Sequence, residues 1–255
     1  MLLGITDNLQ ENNRIAAKKR ISVATIVFLI SLLLPFILLA LFHFKIVSGK
    51  PVFTSEIQEP VAKLINQDRV GTAFLVSPTK MLTARHIVEN LAIGGNVSII
   101  FEKAKSPISI TAKVIYFSPN NSQAAVDGKV SMDYFLTDIA VLEIPAINGV
   151  EPLELGSSSA VNPLDDVILI GYPNNDYSIT KGSINSTSFQ GMDLFKLDAV
   201  SNPGNSGGPC ILKEDNTVIG ILVGGSGPNY QGENVAVKID NIKRLLASAG
   251  IDISK

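Results

Sequence analysis

Ser206 lies in the run Ser201-Asn202-Pro203-Gly204-Asn205-Ser206-Gly207-Gly208-Pro209, where small, turn-forming residues on both sides leave its hydroxyl free to act as a nucleophile. Glycine lets the backbone bend sharply and approach a substrate closely, and the N–H groups so freed can converge on one point where negative charge develops. A serine hydroxyl also needs a base to take its proton. The chain has two histidines, His43 and His86, and His43 falls in a long uncharged stretch. His86 is therefore the candidate general base. Asp138, at the lip of the apolar run Asp138-Ile139-Ala140-Val141-Leu142-Glu143-Ile144, is the third group. A carboxylate buried there needs a partner. An imidazole is such a partner: the carboxylate fixes its tautomer and stabilises the imidazolium while the other ring nitrogen takes the serine proton.

The elements that must position these groups read as strands. Gly71-Thr72-Ala73-Phe74-Leu75-Val76-Ser77-Pro78 and Lys80-Met81-Leu82-Thr83-Ala84 form two strands joined by a tight turn that deliver His86 at the end of the second. Asp138 opens a further strand. Short apolar or alternating runs at Val97–Phe101, Ile108–Tyr116, Val167–Ile170, Leu194–Leu197 and Val218–Val223 recur between Gly, Pro, Asn and Ser clusters, an all-β barrel pattern. The clear helix beyond the apolar N-terminal region comes at the end. There Asp240 reads as the N-cap, Ile242, Leu245 and Leu246 follow at helical spacing, and Gly250 is the stop.

In the order His86, Asp138, Ser206 the chain resembles the trypsin-like serine peptidases of chymotrypsin fold, and most closely their HtrA/Deg branch. The likeness runs from about residue 60 to 246. It includes Gly71-Thr72-Ala73-Phe74-Leu75-Val76, Leu82-Thr83-Ala84-Arg85-His86, Asp138-Ile139-Ala140-Val141-Leu142, Ile170-Gly171-Tyr172-Pro173, Ser178-Ile179-Thr180-Lys181-Gly182, the serine loop and Ala236-Val237-Lys238-Ile239-Asp240. The resemblance implies an all-β fold of two packed six-stranded-type antiparallel barrels with a C-terminal helix. The first barrel would supply His86 and Asp138, and the second Ser206. It implies an oxyanion hole from the N–H groups of Gly204 and Ser206. It also implies a substrate pocket with Val200 at its base and Val223, Gly224 and Gly225 as an apolar wall, suited to small or medium aliphatic side chains. No PDZ module is expected after the peptidase domain. Arg85 stands where a small residue is commoner, and Asn205 where secreted digestive members carry an aspartate.

Ile21 to Phe44 is an uncharged run directly after Lys18-Lys19-Arg20. As a helix it is about 36 Å long, enough to cross a hydrocarbon core of about 30 Å. One transmembrane helix is therefore expected, with a cleaved signal peptide as the rival reading. The basic cluster points to a cytoplasmic N-terminus and a peptidase domain on the extracytoplasmic side, periplasmic or extracellular. The expected organisation is a tail at 1–20, the span at 21–44, a linker at 45–55 and the peptidase domain at 56–255, its barrels split near residue 150. Lys45-Ile46-Val47-Ser48-Gly49 looks like a zymogen activation site. The uncharged Asn205 could not pair the amine that cleavage there would free, so activity without that cleavage is expected.

A single cysteine, Cys210, excludes an internal disulfide and reads as a small buried residue. A formal net charge of −2 without a basic patch argues against nucleic acid, and one usable histidine with one cysteine makes no metal cluster. The chain reads as an enzyme with no cofactor, a protein or peptide substrate and a membrane anchor, its oligomeric state open. A catalytically silent barrel pair used as a binding or scaffold module is the alternative.

Overall fold

The computed structural model describes residues 27, 28, 30–35, 55–119, 125, 126, 129, 130, 133–225 and 233–253. Two compact units divide the chain, Met1–Lys50 and Pro51–Lys255, and the second holds both barrels. In the first barrel β1 (Val61–Asn66), β2 (Arg69–Ser77), β3 (Lys80–Thr83), β4 (Asn96–Phe101) and β5 (Ile108–Phe117) are followed by the short pair β6 (Ala125–Val126) and β7 (Lys129–Val130), which stands apart, and by β8 (Ala140–Glu143). The barrel closes in the order β1-β2-β3-β8-β5-β4. In the second, β9 (Asp166–Gly171), β10 (Ser178–Ser186), β11 (Leu194–Leu197), β12 (Pro209–Leu212), β13 (Thr217–Gly225) and β14 (Asn234–Lys238) close in the order β10-β11-β14-β13-β12-β9. Every strand pairing is antiparallel, as in β1 on β2 from Val61↔Phe74 to Asn66↔Arg69.

Alternation builds each wall. In β4, Val97, Ile99 and Phe101 turn inward and are buried, while Asn96 and Ser98 face solvent, because successive side chains of a strand point to opposite faces. β2 departs from this: all seven residues from Gly71 to Ser77 are buried. Both its faces are covered, since it touches β9 of the second barrel as well as its own. Tyr172, just after β9, is fully buried and its hydroxyl donates to the Val61 carbonyl of β1 at 3.4 Å. Burial pushes that hydroxyl above its ordinary range.

The barrels thus match the expected architecture, with local corrections. His86 does not end a strand: it lies in a one-turn helix, Arg85–Val88, beyond β3. Asp138 precedes β8 by two residues and follows a second one-turn helix, Asp133–Leu136. The terminal helix runs Ile239–Ser248 with Lys238, not Asp240, at its N-cap. Asp240 sits in the first turn, where its carboxylate accepts from Ser157 Oγ at 3.0 Å, Ser158 Oγ at 2.9 Å and the Ser159 N–H at 3.1 Å. A tertiary contact has claimed the group that a local cap would use. Gly250 ends the helix at φ 71°, the left-handed conformation that stops helices. Cys210 is buried, and burial pushes its thiol up to about 12.

Among the described residues no helix is long and apolar enough to cross a membrane. Most of the expected span at 21–44 lies outside the described residues, where 27, 28 and 30–35 are helical. The zymogen-like segment at 45–49 also lies outside them.

Candidate active site

The first barrel brings His86 and Asp138 together through side chains. The His86 N–H donates to Asp138 Oδ1 at 2.8 Å and Nδ1 lies 2.6 Å from Oδ2. The aspartate side chain is fully buried while the imidazole is 27% exposed. A proton on Nδ1 satisfies the carboxylate and leaves Nε2 as the bare acceptor.

Two neighbours, Arg85 and Ser118, hold the segment that carries Asp138. The Arg85 N–H donates to the Asp138 carbonyl at 3.2 Å and the Ser118 N–H to the Ile139 carbonyl at 2.9 Å. Ser118 Oγ donates to the Thr137 carbonyl and accepts from the Ile139 N–H, so one serine grips the residues on either side of the aspartate. The Arg85 guanidinium donates to the Ser118 carbonyl and lies 5.6 Å from the centre of the Phe117 ring. This large residue beside the histidine therefore clasps the aspartate's support. Its Nε is buried without a partner among the described residues.

The second barrel contributes backbone. From residue 203 to 206 every carbonyl is engaged. Pro203 O accepts from the Asn174 N–H at 2.9 Å, Gly204 O from Thr72 Oγ1 at 2.7 Å, Asn205 O from the Gly208 N–H at 2.9 Å and Ser206 O from the Thr72 N–H at 2.9 Å. The N–H groups of Asn205 and Gly207 are engaged as well, by Asn202 O at 3.0 Å and Leu222 O at 2.7 Å. Those of Gly204 and Ser206 donate to no protein group among the described residues. Most buried N–H groups are paired within the protein, so the two on either side of Asn205 stand out as donors that no protein group among the described residues uses.

Two glycines make this loop possible. Gly204 has φ 107°, and a Cβ there would stand 2.2 Å from the Tyr172 carbonyl oxygen. Gly207 has φ 84°, and a Cβ there would stand 2.2 Å from Thr72 O and 2.7 Å from Ala84 N. The serine loop is therefore pressed against β2 and the end of β3, just before the helical turn that carries His86. Ser206 is half-buried and meets the first barrel through its backbone. Among the described residues its hydroxyl makes no hydrogen bond to His86.

The expected pocket residues separate. Val223 is buried, and Gly224 and Gly225 pair with Val235 and Asn234 of β14; a Cβ on Gly224 would lie 2.6 Å from Phe135 Cε1, and one on Gly225 2.6 Å from Asn234 Oδ1. Val200 is 63% exposed, so its side chain does not floor a closed pocket. In the loop after β11 Ala199 is buried and Val200 exposed. The polar residue behind this wall is Asn234, 7% exposed, whose Nδ2 donates to Ala199 O at 2.6 Å and whose Oδ1 accepts from Ser201 Oγ at 2.6 Å. Neither Asn234 nor the role of Thr72 is evident from sequence. The available signal is a single polar residue in an apolar strand, which once buried must find partners.

The family described as "Trypsin-like peptidase domain" matches residues 71–221. Among curated relatives, the zebrafish (Danio rerio) "Serine protease HTRA1A" is 32% identical over 190 residues, covering 70% of this chain and 34% of that protein. The Arabidopsis thaliana "Protease Do-like 4, mitochondrial" is 29% identical over 185 residues, covering 66% and 31%. The chain thus spans about a third of the length of these relatives. The solved structure of the HtrA-type protease AlgW with a tripeptide superposes with a TM-score of 0.61 at 20% identity, covering 79% of this chain and 65% of that one. That likeness shows a shared fold.

Proposed function

Because the chain belongs to the trypsin-like peptidase family, with HtrA/Deg proteins among its relatives, we propose that it is a serine endopeptidase that cleaves protein or peptide substrates through an acyl-enzyme. The observation that carries this reading is the pairing of a buried aspartate–histidine couple with two unpartnered N–H groups on either side of Asn205. Ser206 Oγ attacks the substrate carbonyl as His86 Nε2 takes its proton, and Asp138 stabilises the imidazolium. The oxyanion accepts from Gly204 and Ser206 N–H. Collapse of the tetrahedral adduct breaks the C–N bond, and the leaving amine takes its proton from His86. Water then repeats the sequence on the ester. In an unliganded site the serine–histidine hydrogen bond is commonly long and tightens when substrate arrives. A silent binding barrel, the alternative, gives no reason for the N–H groups of 204 and 206 to stay free while those of 205 and 207 are paired.

The uncharged run 21–44 behind Lys18-Lys19-Arg20 supports a membrane anchor with an extracytoplasmic peptidase domain. The absence of charged side chains at Val223, Gly224 and Gly225 supports cleavage after small or medium aliphatic residues. One methylene in such a site discriminates by only about 1–3 kcal/mol, so selectivity is modest. Residues 51–255 produced alone are expected to hydrolyse an unfolded protein, and mass spectrometry of the fragments to show Val, Ala or Leu before the cut. A clear preference for Lys, Arg or Glu would overturn the pocket reading. Folded protein with no hydrolysis would overturn the peptidase reading. Protease added to intact cells should digest the C-terminal domain and spare a tag at Met1, and the reverse would invert the topology.

A further inference from the structure

Thr72 is fully buried in β2 of the first barrel, yet most of its polar contacts lie across the interface in the second. Its hydroxyl donates to Gly204 O at 2.7 Å and accepts from the Tyr172 N–H at 3.1 Å. Its N–H donates to Ser206 O at 2.9 Å. Its carbonyl accepts from Thr83 Oγ1 of β3 at 2.7 Å. One residue thus grips the carbonyls of both residues whose N–H groups are free.

The consequence follows from peptide planarity. The Gly204–Asn205 peptide lies between the two free donors, and its plane is fixed at one end by Thr72 Oγ1 on Gly204 O and at the other by Asn202 O on the Asn205 N–H. Without the hydroxyl, Gly204 O and the Tyr172 N–H lose a buried partner. The glycine at 204, free of Cβ restraint, can then rotate to seek another, which turns its flanking peptides away. A backbone donor is useful in catalysis only if it is aimed before charge develops.

We infer that the Thr72 side chain is a positioning residue for the oxyanion hole: the first barrel reaches across through this hydroxyl to preset the serine loop of the second. This rests on the peptidase reading. It assigns Thr72 no contact with substrate. Its removal therefore acts on the transition state and leaves ground-state binding alone. Losing an oxyanion donor outright costs about 10²–10³ in turnover, and loosening its support should cost less, about 10- to 100-fold.

The test uses the full chain in detergent micelles, with Thr72→Val, Thr72→Ser and Ser206→Ala beside the unaltered protein, activities being normalised to sites titrated with a fluorophosphonate. Valine keeps the shape and deletes the hydroxyl, whereas serine keeps the hydroxyl. The expected result for Thr72→Val is a kcat lower by about 10- to 100-fold, a KM within about threefold, and weaker binding of a tetrahedral peptide boronate by the same factor as kcat/KM. Thr72→Ser is expected within about threefold of the unaltered protein in all three. Thr72→Val at full kcat overturns the inference, and so does a loss shared equally by kcat and by binding of a ground-state peptide to the variant combined with Ser206→Ala. Where Thr72→Val fails to fold, Thr72→Ser decides: a tenfold loss of kcat at unchanged melting temperature makes the methyl the important group and overturns the assignment. Failure of the peptidase reading looks different, since the unaltered protein itself would then neither turn over substrate nor take the fluorophosphonate.

Discussion

The two barrels equip one site by different means. The first presents side chains whose chemistry is written in their residue types: a buried carboxylate, an imidazole 2.6 Å away and an arginine that clasps the segment behind them. The second presents backbone, and its free donors at Gly204 and Ser206 are defined by what has happened to every neighbouring peptide group. Side-chain chemistry survives small shifts because rotamers can follow. Backbone aim has no such slack, and it is held here by Thr72 and Asn174 from outside the loop.

Breaking either half is expected to reduce activity, but not to the same depth. Ser206→Ala should cost on the order of 10⁶ in kcat with the melting temperature unchanged, and His86→Ala about as much in kcat, since nucleophile and base act as a unit. Near-normal turnover in His86→Ala would dissolve the side-chain half of the comparison. Asp138→Asn should cost about 10⁴, because the amide cannot hold the imidazole in the productive tautomer. Crystallography of that variant should find His86 little displaced.

On the backbone side, Gly204→Ala sharpens the contrast. Its Cβ has no room beside the Tyr172 carbonyl, and φ 107° is costly for any side chain, on the order of 1–3 kcal/mol. Turnover should fall by about 10²–10³ together with a lower melting temperature. A variant as stable and active as the parent would show that the loop is not poised in this conformation. Arg85→Gln should have the smallest effect, no more than about tenfold in kcat. It removes a charge from the clasp on Ser118 and keeps the residues that touch Asp138. A loss as large as that of Asp138→Asn would make Arg85 part of the catalytic pair rather than its support.

The same contrast explains what the sequence could reveal. His86 stands out because the chain has two histidines, and Asp138 and Ser206 because their settings, an apolar strand lip and a glycine-rich loop, are particular. The barrels stand out because strands such as β4 alternate strictly between turn residues. Thr72 and Asn234 do not, since a lone threonine or asparagine in a strand becomes informative only when its partners from distant segments are known. Val200 was expected at a pocket base by position in the chain, but the exposure of a loop residue depends on which neighbour the fold turns inward. Asp240 has the residue type and spacing of an N-cap. Three serines 81–83 residues away in sequence use its carboxylate instead.

In the proposed mechanism Ser206 is a nucleophile activated by His86 and Asp138 and served by the two free N–H groups. A fluorophosphonate probe incubated with the folded protein, with the modified residue mapped by peptide mass spectrometry, tests it most directly. One adduct per chain is expected, on Ser206, formed far more slowly in His86→Ala. No adduct on folded protein, or labelling of Ser206 at an unchanged rate without His86, would contradict it.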